Sequence, residues 1–157
     1  MRATRDFIDD FSTWYLRRSR DRLKDGSLSA KMTMYVVLKT LSKIIAPFAP
    51  FSAEDMWQKL KVEGDEESVH LTAWPKAGKV DKKIIEEMQK VRDLCTEGNS
   101  IRKKQNIPLR QPLAAFFVKE KLSSEFAEII KDELNVKNVE VGSEVSFDTN
   151  ITPELKR

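Results

Sequence analysis

A chain of 157 residues with 40% apolar residues is long enough to bury its own core, and its net charge of +3 permits an anionic partner without requiring one. One cysteine excludes an internal disulfide, and one cysteine with one histidine leaves too few ligands for the usual kind of zinc site. No apolar run approaches the roughly 20 residues that cross a membrane, and the first residues lack the apolar core of a signal peptide, so we expect a cytoplasmic chain.

The first predicted element is a helix over residues 4–25, with Thr4 as its N-cap and Gly26 at its end. Aromatic residues at helical spacing form one stripe along this helix, which we expect to pack in the core. Arginines continue the same stripe toward the C-terminal end of the helix. The aromatics are Phe7, Phe11, Trp14 and Tyr15, and the arginines are Arg18 and Arg22.

Two more helices are predicted before a short extended segment. Ser29 is the expected N-cap of the second helix, which should stop near Ala46 because prolines follow. The third helix is expected to start at Ser52 and to turn Trp57 inward. The segment over residues 68–75 should be extended, with Trp74 anchoring it on the helices.

Asp81 is the expected cap of a long fourth helix that turns Val91, Cys95 and Gly98 inward. After Asn106 the pattern changes to alternation, with strands at 113–118 and 136–141 around a helix at 124–134 and a third strand beyond residue 143. The sequence therefore predicts a mainly α fold. We expect an antiparallel four-helix bundle over residues 1–105, then a small β-α-β subdomain with a loose C-terminal tail over 106–157.

The sequence contains no recognisable catalytic set. Its glycines are isolated, so neither a P-loop nor a dinucleotide-binding fingerprint is present. His70 has no local triad pattern and is interpreted as a structural or exposed residue. Cys95 is interpreted as a small buried side chain. We therefore predict no catalytic residue, no cofactor site and no metal site in this chain.

Two groups of basic residues remain. Arginines can favour helix C-termini through the helix dipole, which accounts for one or two residues per helix. Arginine also suits phosphate groups and stacks on aromatic rings. From the residues alone, RNA contact and ordinary surface charge both stay open. The first group is Arg17, Arg18, Arg20, Arg22 and Lys24, and the second is Arg102, Lys103, Lys104 and Arg110.

Several segments resemble the anticodon-binding domain of isoleucyl-tRNA synthetase, in the family's order and at its spacing. The run over residues 7–20 resembles the start of that domain. Residues 41–51 are similar to a helix junction shared by the class I synthetases for branched aliphatic amino acids. Residues 14–19 together with 110–113 favour the isoleucine enzyme over the valine enzyme. Further similar segments are 68–71, 74–75 and 133–137.

The resemblance implies that tRNA(Ile) is the partner and that an ATP-dependent isoleucine–tRNA ligase is the parent protein. The family's catalytic signatures, editing domain and zinc module are not found in this sequence. We therefore expect an inactive, monomeric fragment without a cofactor of its own. ATP and magnesium would bind in the parent's catalytic domain, which together with the editing domain would be a partner within the same chain.

The tRNA contacts implied by this resemblance lie in the two basic groups, although each of these residues could instead form a structural salt bridge. Two alternatives stay open, a helical protein-interaction module and the same domain of a valyl-tRNA synthetase. The expected contacts are Arg17, Arg18, Arg22, Arg102, Lys103, Lys104 and Arg110.

Overall fold

The chain divides into two compact units, Met1–Gly78 and Lys79–Arg157. The computed structural model describes residues 2–149. The first unit is helical, and the second combines two helices with a three-stranded mixed sheet. The chain is therefore mainly α. The predicted domain boundary at residue 105 differs from this division and stays a prediction.

The first unit opens with a helical run of three parts, α1 (Arg2–Asp10), a π-helical segment (Phe11–Leu16) and α2 (Arg20–Lys24). The predicted N-cap at Thr4 is wrong, because α1 already includes Arg2. The predicted end at Gly26 is confirmed. Gly26 has φ +80°, and the next amide, of Ser27, donates to the Arg22 carbonyl at 2.9 Å. This left-handed turn is a common way to end a helix.

The π-helical segment coincides with two side chains that compete for a backbone acceptor. The hydroxyls of Ser12 and Thr13 both donate to the carbonyl of Asp9, at 3.1 and 2.6 Å. In an α-helix that carbonyl accepts from the amide four residues later. Serine and threonine side chains that bond to the preceding turn loosen this pattern. The hydrophobic spacing predicts one regular helix here and gives no sign of the interruption.

Two longer helices follow, α3 (Leu28–Ile45) and α4 (Pro50–Leu60). Both predicted starts are two residues too late. The N-cap of α3 is Ser27 rather than Ser29, and α4 begins at Pro50 rather than Ser52. Proline suits the first helical position because its φ is fixed and its missing N–H would have no partner there. The predicted end of α3 at Ala46 is confirmed.

The aromatic stripe of the first helical run was predicted to be buried, and this prediction is wrong. Neither α1 nor the π-helical segment contributes a buried residue, and Phe7 is 45% exposed. The rings instead stack on one another, with centroids 5.9 Å apart for Phe7 and Phe11 and 5.4 Å for Phe11 and Tyr15. An apolar groove of 320 Å³ remains between α1 and α3 beside Phe7. Mutual stacking therefore replaces much of the expected core packing.

Trp57 forms the centre of the first unit's core, as predicted. It is 1% exposed and lies with Ala46, Ala53 and Val69. Val69 belongs to a 3₁₀ turn (Val69–Leu71) within the segment predicted to be extended. The predicted anchor of that segment is wrong, because Trp74 is 61% exposed whereas Val69 is 2% exposed. The smaller residue enters the core because the 3₁₀ turn points it at α4.

Side chains of α4 fasten this segment. Glu54 accepts from the Ser68 hydroxyl at 2.8 Å and from the Val69 amide at 3.0 Å. The Trp57 indole donates to the Glu66 carbonyl at 3.0 Å. These bonds fix residues 66–69 along α4 before the chain reaches Trp74.

These contacts predict a loss of stability in acid. Hydrogen bonds from Gln58, Ser68 and the Val69 amide hold the pKa of Glu54 below its ordinary value. A depressed carboxyl pKa contributes stability above the unfolded-state value near 4.3, and this is lost as pH falls through the folded value. We expect the urea midpoint of the first unit, followed by tryptophan emission, to fall between about pH 5 and about pH 3.

The matched variant is Glu54→Gln, which cannot ionise. It should be less stable than the original chain at neutral pH, and its urea midpoint should fall less on acidification. Parallel pH curves for the two proteins would show that Glu54 does not carry the effect.

The second unit contains α5 (Lys82–Lys104), β1 (Leu113–Val118), α6 (Ser124–Leu134), β2 (Val136–Val141) and β3 (Ser146–Phe147). The predicted β1, α6 and β2 are confirmed, and β3 is the predicted third strand. The sheet order is β2-β1-β3, with β2 parallel and β3 antiparallel to β1. The predicted loose end includes residues 150–157, which lie outside the described residues.

Helix α5 begins at its predicted cap, since the Asp81 carboxylate accepts from the Ile84 amide at 3.2 Å. Cys95 is 1% exposed on its inward face, as predicted. Gly98 lies against α6, where an added Cβ would be 2.6 Å from Leu134 Cδ1. The glycine therefore allows α5 and α6 to approach closely.

Among residues 2–149, no helix is both long and apolar enough to cross a membrane.

Candidate nucleic-acid interface

The first basic group lies on the described helical run that ends at Lys24. The predicted continuation of the aromatic stripe into Arg22 is wrong, whereas Arg18 is half-buried. Ser19 is the buried residue at this point, 1% exposed, and Leu23 is half-buried, whereas Arg22 is exposed. The Arg22 guanidinium donates to the Ser19 hydroxyl at 2.9 Å. The arginine head therefore lies beside the inward position rather than in it.

Arg17 is held along the helix surface. Its Nε donates to the Thr13 carbonyl at 3.0 Å, and its guanidinium lies 5.6 Å from the centre of the Trp14 ring. Such an arrangement keeps an exposed arginine in one orientation, which lowers the entropy cost of binding a phosphate.

Two cations missing from the predicted contacts share a surface groove. Arg20 and Lys24 line a groove of 390 Å³ together with Leu16 and Leu23. Their spacing of four residues places both on one side of α2. Both belong to the first basic group, and their four-residue spacing is the sequence signal that selects them.

The second basic group lies where α5 ends. Lys103, Lys104 and Arg110 are exposed. Asn106 has φ +56° and ends the helix, and the Ile107 amide donates to the Arg102 carbonyl at 2.9 Å. The chain then turns into a loop that carries Arg110 toward β1.

Arg102 differs from its neighbours because it is 2% exposed. Its Nη1 donates to the Pro108 and Gln111 carbonyls at 3.1 and 3.0 Å. Its Nη2 donates to the Leu134 and Asn135 carbonyls at 2.6 and 3.2 Å. One side chain of α5 thereby ties the loop before β1 to the junction between α6 and β2.

The charge of Arg102 is buried among neutral groups. Burial lowers the pKa of this guanidinium from its ordinary value. The Cζ of Arg102 lies 5.1 Å from the centre of the Phe147 ring. The Nε of Arg102 is buried without a hydrogen-bond partner. The predicted direct contact of Arg102 with tRNA stays untested, but its hydrogen-bonding atoms face carbonyl oxygens rather than solvent.

The other singled-out residues form no catalytic or metal centre in the described part of the chain. His70 is exposed and Cys95 is buried. Across residues 2–149, no group of three or more His, Cys, Asp and Glu side chains is arranged to hold a metal ion.

A comparison with protein families identifies the family of this chain. The family model described as the anticodon-binding domain of tRNA ligase matches residues 1–117. The match covers well over half of the chain, so the chain belongs to this family of anticodon-binding domains.

Three relatives share one name, isoleucine–tRNA ligase. The isoleucine–tRNA ligase of Clostridium acetobutylicum is 44% identical over 96% of this chain, and that of Chlamydia muridarum is 42% identical over 88%. The isoleucine–tRNA ligase of Clostridium novyi is 40% identical over 96% of the chain. The resemblance to isoleucyl-tRNA synthetase is thereby confirmed. The chain covers 16%, 15% and 16% of these relatives, respectively, or about one sixth of their length.

Proposed function

We propose that this chain binds the anticodon stem and loop of tRNA(Ile) and positions the tRNA for an isoleucine–tRNA ligase of which it is a part. The observation that carries the proposal is the family match over residues 1–117. Exposed cations at the end of the first helical run and at the end of α5 support it, because phosphate neutralisation dominates the affinity of proteins for nucleic acids.

The geometry supports different roles for the basic residues. Exposed or half-buried guanidinium and ammonium groups can neutralise phosphates directly, so Arg20 and Lys24 are added to the contacts expected in the first group. Arg102 would act indirectly, because it holds the loop that carries Arg110. The proposed direct contacts are Arg17, Arg18, Arg20, Arg22, Lys24, Lys103, Lys104 and Arg110.

The parent protein would charge tRNA(Ile) with isoleucine in the cytoplasm. ATP and magnesium would bind in its catalytic domain, and the present chain alone would be monomeric and inactive. The antiparallel four-helix bundle is part of the same proposal. The catalytic and editing domains would then be neighbours of this domain in one chain.

The test of tRNA binding is its dependence on salt. Replacing Arg17 and Arg18 by alanine should weaken binding of tRNA(Ile) and flatten the plot of log affinity against log salt. Each lost phosphate contact reduces the slope by about 0.7 to 0.9. Fluorescence anisotropy of labelled tRNA, measured from low to physiological salt, gives this slope.

Charge-matched control residues come from two surface ion pairs. Lys59 pairs with Asp55 at 2.6 Å and Lys131 with Glu128 at 2.7 Å. The double variant Lys59→Ala, Lys131→Ala removes the same charge and should keep the original slope. Equal slopes for all three proteins would mean that Arg17 and Arg18 do not contact phosphates.

The alternative of a protein-interaction module has one observation in its favour. Leu28, Met32 and Val36 are exposed at every fourth position of α3. An apolar stripe of this kind suits a protein surface. We assign the stripe to contact with other domains of the parent, because the chain spans only about one sixth of its relatives' length. A chain that does not bind tRNA(Ile) even at low salt would oppose the proposed function and favour the module.

A further inference from the structure

The first unit presents an exposed indole on a fastened segment. Trp74 is 61% exposed, yet the residues just before it are bonded to α4 through Glu54 and Trp57. The Thr72 hydroxyl donates to the Val69 carbonyl at 2.7 Å and continues the ordered turn toward Trp74. Within residues 2–149 no other ring stacks on this indole. Trp74 is therefore a large flat surface on a well-supported backbone.

A small cleft lies beside this indole. It has a volume of 170 Å³, and Ala46 and Val69 contribute apolar walls. Its ammonium group and its polar side chains come from different elements, and no carboxylate lines it. The cleft is lined by Lys43, Ala46, Pro47, Val69, His70, Thr72, Ala73 and Trp74.

Lys43 supplies the positive charge of the cleft. Its ammonium lies 5.2 Å from the centre of the buried Trp57 ring, which holds the side chain in place from below. The nearby Asp65 carboxylate forms its ion pair with Lys39 instead. Within the described part of the chain, Lys43 makes no salt bridge, so its charge is available to a ligand in the cleft.

We propose that Trp74 and Lys43 bind one unpaired nucleotide of an RNA loop, with the base stacked on the indole and a backbone phosphate against the ammonium. This inference rests on the proposed tRNA-binding function and adds a subsite to it. Unpaired bases are commonly recognised by stacking on aromatic side chains, whereas bases within a duplex are already stacked. The ammonium and the absence of a carboxylate in the lining favour an anionic, phosphate-bearing ligand over a basic protein surface.

The experiment compares two RNA probes at low salt, an anticodon stem–loop and a blunt duplex with the same stem sequence. Trp74→Ala should weaken stem–loop binding by about 5- to 150-fold, the range found for loss of one base–aromatic stack, and should leave duplex binding unchanged. Trp74→Phe should retain most of the stem–loop affinity because it keeps an aromatic face. Lys43→Gln should reduce the salt slope for the stem–loop by about 0.7.

Leu71→Ala is the matched control, since Leu71 is 64% exposed on the same segment. It should bind both probes like the original chain, and unfolding midpoints of all variants at exposed positions should agree. An unchanged stem–loop affinity for Trp74→Ala would overturn the subsite, as would equal losses for stem–loop and duplex. If the original chain bound the stem–loop with a salt slope while Trp74→Ala changed nothing, the proposed function would stand alone. If the original chain did not bind the stem–loop at all, both proposals would fail.

Discussion

Arg102→Met is expected to destabilise the second unit by about 3 kcal/mol or more, because one buried and three partly buried carbonyls would lose a charged donor at once. The Nη2–Leu134 carbonyl bond of 2.6 Å is fully buried, so water cannot replace it without opening the unit. Removing the buried charge offsets part of the loss, since an isolated guanidinium is costly to desolvate. We expect a net loss in the free energy of unfolding, because four carbonyls lose their donor when one charge is removed.

Cys95 provides the measurement for this variant. It is the single cysteine and is 1% exposed, so its reaction with a thiol reagent reports opening of the second unit. Arg102→Met should speed labelling by a factor of about 150 or more, which corresponds to the same 3 kcal/mol.

Lys103, the exposed neighbour of Arg102, supplies the control. Lys103→Met also replaces a cation by methionine, but Lys103 does not bond to the four carbonyls held by Arg102. Arg102→Lys keeps the charge but cannot reach all four carbonyls, so it should label at an intermediate rate. Equal labelling of Arg102→Met and Lys103→Met would show that the buried guanidinium is not structural.

Trp57→Ala should lower the free energy of unfolding of the first unit by about 3 to 5 kcal/mol, the usual cost of emptying a large buried aromatic site. Besides its volume, the indole supplies the hydrogen bond to the Glu66 carbonyl and the ring beneath Lys39 and Lys43. Urea unfolding followed by far-ultraviolet circular dichroism measures the change.

A second tryptophan, Trp14, tests whether the loss of stability depends on burial rather than on the removal of any tryptophan. Trp14 is only half-buried, on the π-helical segment. Trp14→Ala should therefore cost less than half as much as Trp57→Ala. Similar losses for the two variants would mean that the core of the first unit is not centred on Trp57.

Local patterns in the sequence were sufficient for the second unit. The strands and helix over residues 113–141 have clear period-two and helical spacing, and their bounds were predicted correctly. The first helical run was predicted less well, because two hydroxyls at Ser12 and Thr13 alter the backbone in a way that hydrophobic spacing does not encode. The burial of Val69 in place of Trp74 likewise depends on long-range bonds to α4.

The basic surfaces were also predicted only in part. Composition and helix ends located both groups of cations, and family resemblance supplied their partner. The sequence could not distinguish Arg102 from Lys103, because both fall in the last turn of α5 and only the fold brings four carbonyls to one of them. Lys43 and Trp74 were missed as a pair because 31 positions separate them in the sequence.

The π-helical segment has a consequence for how this family's sequences are read. A π turn amounts to one residue inserted into an α-helix, and one residue corresponds to roughly 100° around the helix axis. Every side chain after Leu16 is therefore out of phase with the aromatic residues before it. Ser19 and Leu23 occupy the angular positions that unbroken counting gives to Arg18 and Arg22. A single inserted position thus places Ser19 at the buried point of the helix and turns Arg22 outward, while the sequence keeps an uninterrupted helical pattern.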